Sequence, residues 1–317
     1  HKLDEVLAVA DRISVLRRGQ VVAATRPAET DRRTLARLMV GRELADFVTR
    51  PAAEPHAPVD PGTTVLALHG LCALGEKGLP ALREVDLEVR AGETLGIAGV
   101  AGNGQRELAE TITGLRRVTS GAVSIDGKTM TNRSPAAIAR AGVAHIPEDR
   151  LATGLVAGMD LSANAILRDY GRPPLCNGPF LSVKAVSAFA DRLIAGSDVK
   201  TPGRWAKLRT LSGGNQQKLL LGRELAGEPR LIVAVHPTRG VDIGATEAIH
   251  AALRAQRARG AATLLISEDL DELLALSDRI AVLYEGRIMG TLPIASADRE
   301  RIGLMMAGVA GREAGVG

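Results

Sequence analysis

The sequence predicts an α/β fold with a phosphate-binding loop, and three observations support this prediction. Thr94–Ala98 is a short apolar strand pattern that leads directly into a glycine-rich loop and then a helical pattern. Leu231–Val235 and Ala262–Ile266 are apolar runs of the length expected for buried parallel strands. Leu211–Lys218 places a serine and two glycines at the start of a further helical pattern. Strands and helices that alternate in this way indicate an α/β domain.

The composition fits a soluble globular chain. Of the 317 residues, 45% are hydrophobic and 24% are charged, and no apolar run approaches the ~18 residues of a membrane span. The two cysteines, Cys72 and Cys176, lack metal-binding spacing and indicate a reducing cytoplasmic compartment. The net charge of +4 would permit nucleic-acid binding, but aromatic residues make up only 2% and leave few platforms for base stacking. We therefore expect no nucleic-acid partner.

An internal repeat divides the chain. Residues 1–24 align without a gap with residues 268–291, and the matched residues include Asp4, Glu5, Asp11 and Arg12, which recur as Asp271, Glu272, Asp278 and Arg279. Each copy predicts a short helix, a strand, a glycine turn and a second strand. Because the second copy closes a domain, we expect the first copy to close one too. The expected parts are the C-terminal remnant of a first domain (1–46), a proline-rich linker (47–63) and a complete second domain (64–317).

The glycine-rich loop is the first candidate site. Gly99 and Gly104 have the G-x-x-x-x-G spacing of a loop whose backbone amides face a phosphate at the positive end of a helix. Gln105 stands where that motif has lysine, and Arg106 stands where it has serine or threonine. The predicted nucleotide-binding residues are Gly99, Gly102, Asn103, Gly104, Gln105, Arg106 and Glu107. A purely structural glycine-rich turn is the alternative.

The second candidate site is the helix start formed by Leu211, Ser212, Gly213, Gly214, Asn215 and Gln216. Ser212 can cap this helix, and the two glycines leave backbone amides bare. Unpaired amides and the helix dipole together attract anions. An ordinary serine-capped helix is the alternative here.

Polar segments also follow three predicted strands. Pro147-Glu148-Asp149-Arg150 follows the strand that ends at Ile146, and a mixed, mainly helical stretch continues to about residue 210. His236-Pro237-Thr238-Arg239-Gly240-Val241-Asp242 follows Leu231–Val235. Ser267-Glu268-Asp269 follows Ala262–Ile266. The carboxyl ends of parallel strands are where α/β proteins place ligand-binding residues.

These segments, taken in order, resemble the ABC-type ATPases in the form found in bacterial sugar and nucleoside importers. The carriers of the resemblance are the loop from Gly99, the PEDR segment, LSGGNQQK, PTRGVDIGA and the segment at Ser267, and they span roughly residues 64–308. The resemblance implies a P-loop NTPase of ABC type, with a mixed sheet and a helical subdomain at about 150–210. It also assigns roles to single positions: Glu148 is the Q-loop position, Val235 and His236 are a degenerate Walker B, Asp242 belongs to the D-loop, Glu268 is a degenerate switch position and His1 is the catalytic switch histidine of the first domain.

The resemblance implies ATP and Mg²⁺ as ligands, but this domain lacks most of the groups that phosphoryl transfer needs. Gln105 supplies no lysine charge, Arg106 offers no hydroxyl to Mg²⁺, and Val235 offers no carboxylate, so we expect no metal ligand from this domain. In the family, two domains pair head to tail. Each ATP lies between the phosphate loop of one domain and the signature, the LSGG segment (Leu211–Gly214 here), of the other. We therefore expect one hydrolytic site, made by the first domain together with Ser212–Gly214, and no activity of this fragment alone.

The expected function is ATP-driven import of nucleosides or simple sugars from the cytoplasmic face of the cell membrane. The resemblance implies two membrane permease subunits and an extracytoplasmic solute-binding protein as partners. One alternative is a soluble tandem ABC protein that acts on the ribosome or on nucleic acid. Another is a non-catalytic scaffold or nucleotide-sensing half.

Overall fold

A six-stranded sheet, a four-stranded sheet, two separate β-hairpins and a set of helices make up the described part of the protein. The computed structural model describes residues 3–17, 20–31, 34–35, 38 and 62–308. The helices are α1 (Leu3–Val9), α2 (Gln105–Ile112), α3 (Pro135–Arg140), α4 (Leu161–Ile166), α5 (Val183–Gly196), α6 (Gly213–Leu225), α7 (Ile243–Ala258), α8 (Leu270–Leu276) and α9 (Arg299–Met306). The strands are β1 (Ile13–Arg17), β2 (Gln20–Thr25), β3 (Thr64–Leu74), β4 (Pro80–Arg90), β5 (Thr94–Ala98), β6 (Val118–Ile125), β7 (Lys128–Thr129), β8 (Val143–Ile146), β9 (Cys176–Asn177), β10 (Phe180–Leu181), β11 (Leu231–Val235), β12 (Ala262–Ile266), β13 (Arg279–Tyr284) and β14 (Arg287–Pro293).

The larger sheet is mixed, as predicted. Its strand order is β14-β13-β5-β12-β11-β8, and only the β13–β14 pair is antiparallel. The smaller sheet, in the order β4-β3-β6-β7, is antiparallel throughout. The larger sheet therefore brings the carboxyl ends of β5, β11 and β12 to one edge.

Hydrophobic cores cover the larger sheet on both faces. Along β11, Ile232 and Ala234 belong to the core that includes α6 and α7. Leu231, Val233 and Val235 belong to the other core, which includes the smaller sheet and α2. Because successive residues of a strand point to opposite faces, burial on both sides requires an uninterrupted apolar run. This explains why β11 and β12 are fully apolar apart from Thr263.

The two copies of the sequence repeat fold into matching elements. α1, β1 and β2 correspond in order to α8, β13 and β14, and both copies continue into a 3-10 turn. The hairpin register is the same, since Ile13 pairs with Thr25 and Ile280 pairs with Leu292. A register irregularity also falls at the same place, after Val15 in one copy and after Val282 in the other.

The predicted helical stretch at 150–210 contains more than helices. It holds a π-helical turn (Arg150–Gly154), α4, the short β9–β10 hairpin and α5. The predicted linker lies outside the described residues except for positions 62 and 63. Within the described ranges, no helix is long and apolar enough to span a membrane.

Candidate nucleotide-binding site

The glycine-rich loop joins β5 to α2, as the sequence predicts. Gly102 and Gly104 adopt φ values of +87° and +105°, which favour glycine. A Cβ atom added at Gly104 would lie 2.6 Å from the carbonyl oxygen of Ala81, so the close approach of β4 also requires glycine there. Gly104 is the N-cap residue of α2. It has no side chain to accept a hydrogen bond from the first backbone amides of the helix, so the cap residue leaves these amides uncovered.

The side chain of Gln105, the first residue of α2, reaches back across this loop to Gly99. Its side-chain amide donates a hydrogen bond to the carbonyl oxygen of Gly99 at 2.8 Å, and the residue is only 5% exposed. Asn103 fixes the outer side of the loop, because its side-chain oxygen accepts from the amide of Glu285 at 2.9 Å. Its carbonyl oxygen accepts from the amide of Gly286 at 3.0 Å. The loop is therefore held to the turn between β13 and β14.

Arg106 is engaged in surface ion pairs. Its side chain is 60% exposed and lies 3.0 Å from Glu76 and 2.8 Å from Glu110. Glu107 lies in the first turn of α2, where a carboxylate adds negative charge beside the predicted phosphate site. Neither residue supplies the small hydroxyl that a phosphate loop offers to Mg²⁺.

The start of α6 has the cap that the sequence predicts. The Ser212 hydroxyl accepts from the Asn215 backbone amide at 3.4 Å and from its side-chain amide at 2.9 Å. Gln216 donates to the carbonyl oxygen of Leu211 at 3.1 Å, and Gln217 donates to that of Pro237 at 2.7 Å. The Gln216 side chain thus fixes the residue that precedes Ser212, and the Gln217 side chain connects α6 to the segment that follows β11.

The ends of β11 and β12 meet at His236 and Glu268. His236 has φ +45°, and its amide donates to the carbonyl oxygen of Ile266 at 2.8 Å. Its Nδ1 atom lies 3.4 Å from the backbone nitrogen of Glu268. Val235 is buried and offers no carboxylate. Asp242 caps α7 through the amide of Ala245 at 2.8 Å.

Sequence reasoning missed Glu272, which connects three segments of this region. It is 4% exposed and accepts hydrogen bonds from Thr238 (2.8 Å), Ser267 (2.6 Å) and His250 (3.1 Å). Burial by itself raises the pKa of this carboxyl, but the hydrogen bonds outweigh burial and hold the pKa below its usual range. The repeat contained a signal for this residue, because Glu5 occupies the same position in the first copy.

Arg150 and Glu148 also have partners that the sequence did not reveal. Arg150 donates from Nε to the side-chain oxygen of Gln216 at 3.3 Å and from Nη1 to the carbonyl oxygen of Arg239 at 3.4 Å. The Glu148 carboxylate pairs with the Arg239 guanidinium. The segments after β8 and β11 are therefore joined to each other and to α6.

The structure does not bring all predicted site residues together. Among the hydrogen bonds of the described residues, none joins the 99–107 loop to the first turn of α6. His1 lies outside the described residues. In the described ranges, no group of three or more His, Cys, Asp or Glu side chains could hold a metal ion. With Val235 and Arg106 at the expected ligand positions, the residues present do not fit Mg²⁺ at this loop.

The phosphate loop, the mixed sheet and the inserted helical segment define the class of the fold, a P-loop NTPase of the ATP-binding cassette type. A nucleotide-free ATP-binding cassette from an ABC transporter superposes with a TM-score of 0.63 at 24% identity, covering 77% of this chain and 95% of that one. A dimeric cassette in a post-hydrolysis state with ADP and Pi gives a TM-score of 0.62 at 21% identity, covering 72% and 98%. The predicted fold class is confirmed.

The family follows from sequence. Residues 82–239 match the ABC transporter family model, so the chain contains an ABC transporter ATPase domain. Domains of this family generally bind ATP with Mg²⁺. The chain is 44% identical over 310 residues to the glucose import ATP-binding protein TsgD13 of Haloferax volcanii. It is 41% identical over 307 residues to the guanosine import ATP-binding protein NupO of Bacillus subtilis and 41% identical over 308 residues to the nucleoside import ATP-binding protein NupA of Lactococcus lactis.

These three matches cover 97% of the chain but only 55%, 59% and 60% of the relatives. The chain therefore spans little more than half the length of the curated relatives that it matches.

Proposed function

We propose that this chain is the second ATP-binding half of the subunit that energises an ABC importer. In this proposal its own phosphate loop does not support hydrolysis, and its signature at Ser212–Gly214 completes the hydrolytic site of the other half. The observation that carries the proposal is an asymmetry within one domain. The helix start at Ser212 is capped and held by its neighbours, whereas the loop at Gly99 lacks the lysine, the hydroxyl and the acids of the reaction.

The proposed division of the chain is a first-domain remnant (1–46), a linker (47–63) and the second ATPase domain (64–317), with a helical subdomain at about 150–210. The matching elements and hairpin register of the two repeat copies support it. The relatives, which extend well beyond the matched region, support it too. The two halves would pair head to tail, with ATP and Mg²⁺ at the composite site and His1 in the set of the first half.

The charge at the switch position supports a non-hydrolytic loop in this half. Glu268 takes the place of the family's switch histidine and lies beside His236. A carboxylate ~4 Å from a γ-phosphate charge would be repelled by ~4 kcal/mol at an effective dielectric constant of ~20. Gln105 cannot offset this repulsion, because it is neutral and already bonded to Gly99.

The proposed cargo is a nucleoside or a simple sugar, with a nucleoside favoured. The support comes from the relatives, which are named for import of guanosine, nucleosides and glucose. The proposed partners are two membrane permease subunits and an extracytoplasmic solute-binding protein, with this subunit on the cytoplasmic face of the membrane. A second candidate is a non-catalytic scaffold or nucleotide-sensing half. The Gln105–Gly99 bond across the phosphate loop favours that candidate.

The test is Ser212→Arg in the full-length protein, with ATP hydrolysis as the readout. We expect a loss on the order of 100-fold or more, because the arginine blocks the amides that face the other half's phosphates. Ser134→Arg is the matched control, since Ser134 is also an exposed N-cap serine and caps α3. It should leave hydrolysis near the wild-type rate. Wild-type hydrolysis by the Ser212 variant would remove the signature from the reaction and contradict the proposal.

A further inference from the structure

We infer that Arg150 is a positioning residue for the signature, because its guanidinium joins the first turn of α6 to the D-loop segment (Arg239–Asp242). The inference rests on the proposed function, in which the signature completes the other half's site. Arg150 belongs to the PEDR segment that carries the resemblance, but the resemblance assigns no role to it.

The guanidinium of Arg150 reaches both segments at once. Nε bonds to the Gln216 side chain at 3.3 Å, and Nη1 bonds to the Arg239 carbonyl at 3.4 Å. Nη2 lies 2.7 Å from where a Cβ atom of Gly213 would stand. The first signature glycine therefore leaves the space that the guanidinium occupies. Arginine suits this place because its planar fork presents several donors in fixed directions.

The position of Arg150 is fixed from its own side. Asp149 accepts hydrogen bonds from the amides of Leu151 and Ala152 at 2.9 and 3.0 Å and so caps the turn that begins at Arg150. Glu148 pairs with the guanidinium of Arg239. The backbone carbonyl oxygen of Arg239 in turn accepts the hydrogen bond from Arg150. Two residues of the PEDR segment, Glu148 and Arg150, thus hold the same D-loop residue, Arg239.

On the other side, Gln216 passes this restraint to the signature. Gln216 is buried, and its amide group donates to the carbonyl oxygens of Leu211 at 3.1 Å and Leu208 at 3.4 Å. Those two residues lie on the stretch that leads into Ser212. A displacement of Arg150 therefore changes the direction in which α6 begins. It also changes the orientation of the backbone amides at the start of α6, which in the proposed function face the phosphates bound by the other half.

The test combines local exchange and catalysis in Arg150→Gln. In the 317-residue chain, hydrogen–deuterium exchange should accelerate about tenfold in peptides covering 211–217 and 239–242, with little change elsewhere. In the full-length protein, kcat for ATP hydrolysis should fall on the order of tenfold while KM changes less than about twofold, because misplacement affects the transition state more than ground-state binding. Arg150→Lys should restore part of kcat, and Arg209→Gln, at an exposed arginine near the same helix, should match wild type.

The outcomes separate the two proposals. Unchanged exchange in both peptides would overturn the positioning role of Arg150. An unchanged kcat in Arg150→Gln would overturn it too, provided that the separate Ser212→Arg variant has lost hydrolysis. Hydrolysis that resists Ser212→Arg would instead overturn the proposed function, and the inference with it. If Arg150→Gln fails to fold, the Arg150→Lys variant and its kcat-against-KM split decide.

Discussion

At the scale of single residues, the neutral side chain of Gln105 decides what the phosphate loop can bind. Gln105→Lys adds a charged donor at the position where the loop motif has one. A hydrogen bond to a charged group contributes ~1.5–3 kcal/mol, so we expect the 317-residue chain to bind ATP roughly 10- to 100-fold more tightly. Titration of the purified chain with a fluorescent ATP analogue, in low salt and without Mg²⁺, measures the change.

Gln105→Leu is the matched control for this substitution. It also removes the bond to Gly99 but adds no charge, so it should not tighten binding. An affinity of Gln105→Lys equal to that of wild type would mean that the loop amides do not face a phosphate. The loop would then be a purely structural glycine-rich turn, the alternative interpretation of its sequence.

Residue types in the site could be predicted, but their partners could not. Gln105, Arg106, Val235 and Glu268 stand at fixed spacings from glycines and strand ends, which the sequence displays. The bonds of Arg150 span 66 and 89 residues along the chain. Such contacts depend on strand order and on how α6 packs, and a single sequence does not specify either.

At the scale of elements, an ionic cluster on α6 connects the helical segment to the larger sheet. Glu224 accepts from Arg223 at 2.8 Å and from Arg168 at 2.5 Å, and it also accepts from the backbone amide of His145 on β8 at 3.1 Å. Arg223 donates onward to the carbonyl oxygen of Gly154 at 2.8 Å. Burial in this cluster lowers the pKa of His145 to about 4, so its ring is neutral at pH 7.

Glu224→Gln should destabilise the fold, because it leaves the buried Arg223 and the partly buried Arg168 without a carboxylate. Removing one partner of a buried ion pair typically costs ~3–5 kcal/mol, and we expect about 3 kcal/mol because the amide keeps some hydrogen bonds. Urea unfolding followed by circular dichroism measures the free energy of unfolding. Glu228→Gln, at an exposed position just after α6, should change it by less than ~0.5 kcal/mol. Equal stability of the two variants would show that the cluster does not support the fold.

Element bounds were predictable where the pattern is regular. β5, β11 and β12 begin and end where the apolar runs do, because both faces of these strands are buried. The bounds of β3 and β4 are less evident from the sequence. Register irregularities along their pairing, as at Leu68 and Leu71, interrupt the alternation of buried and exposed residues. The β9–β10 hairpin has two-residue strands, which are too short to show any period.

At the scale of the whole molecule, the order of motifs along the chain predicted the fold, because four of the five motifs follow strands of one mixed sheet (β5, β8, β11 and β12) and the fifth begins α6. The partners cannot be predicted in this way, since an interface leaves no comparable spacing in a sequence. The structure adds one observation that bears on the proposed permease contact. Leu151, Val156 and Met159 are 46%, 40% and 42% exposed and follow directly after the PEDR segment.

Exposed apolar side chains within nine residues of one another favour a protein partner, so we expect the cytoplasmic segments of the proposed permease to contact this patch, residues 151–159. The neighbouring charges are poorer probes, because Glu148 and Arg150 already bond to Arg239 and Gln216 and their substitution would disturb the signature too. The test is therefore Leu151→Glu combined with Met159→Glu in the full-length protein, with permease co-purification and solute uptake as readouts. Burying two new carboxylates without partners should reduce co-purification at least tenfold.

Leu304→Glu is the matched control for this interface, since Leu304 is 50% exposed but lies on α9. It should leave co-purification and uptake at wild-type levels, while ATP hydrolysis by the unassembled subunit should be the same in all three proteins. Both variants exchange exposed apolar side chains for glutamate, two in the double variant and one in the control, so their comparison tests the position of the exchange. Full co-purification of the double variant would place the permease contact elsewhere on the helical segment and leave the exposed residues without a role in coupling.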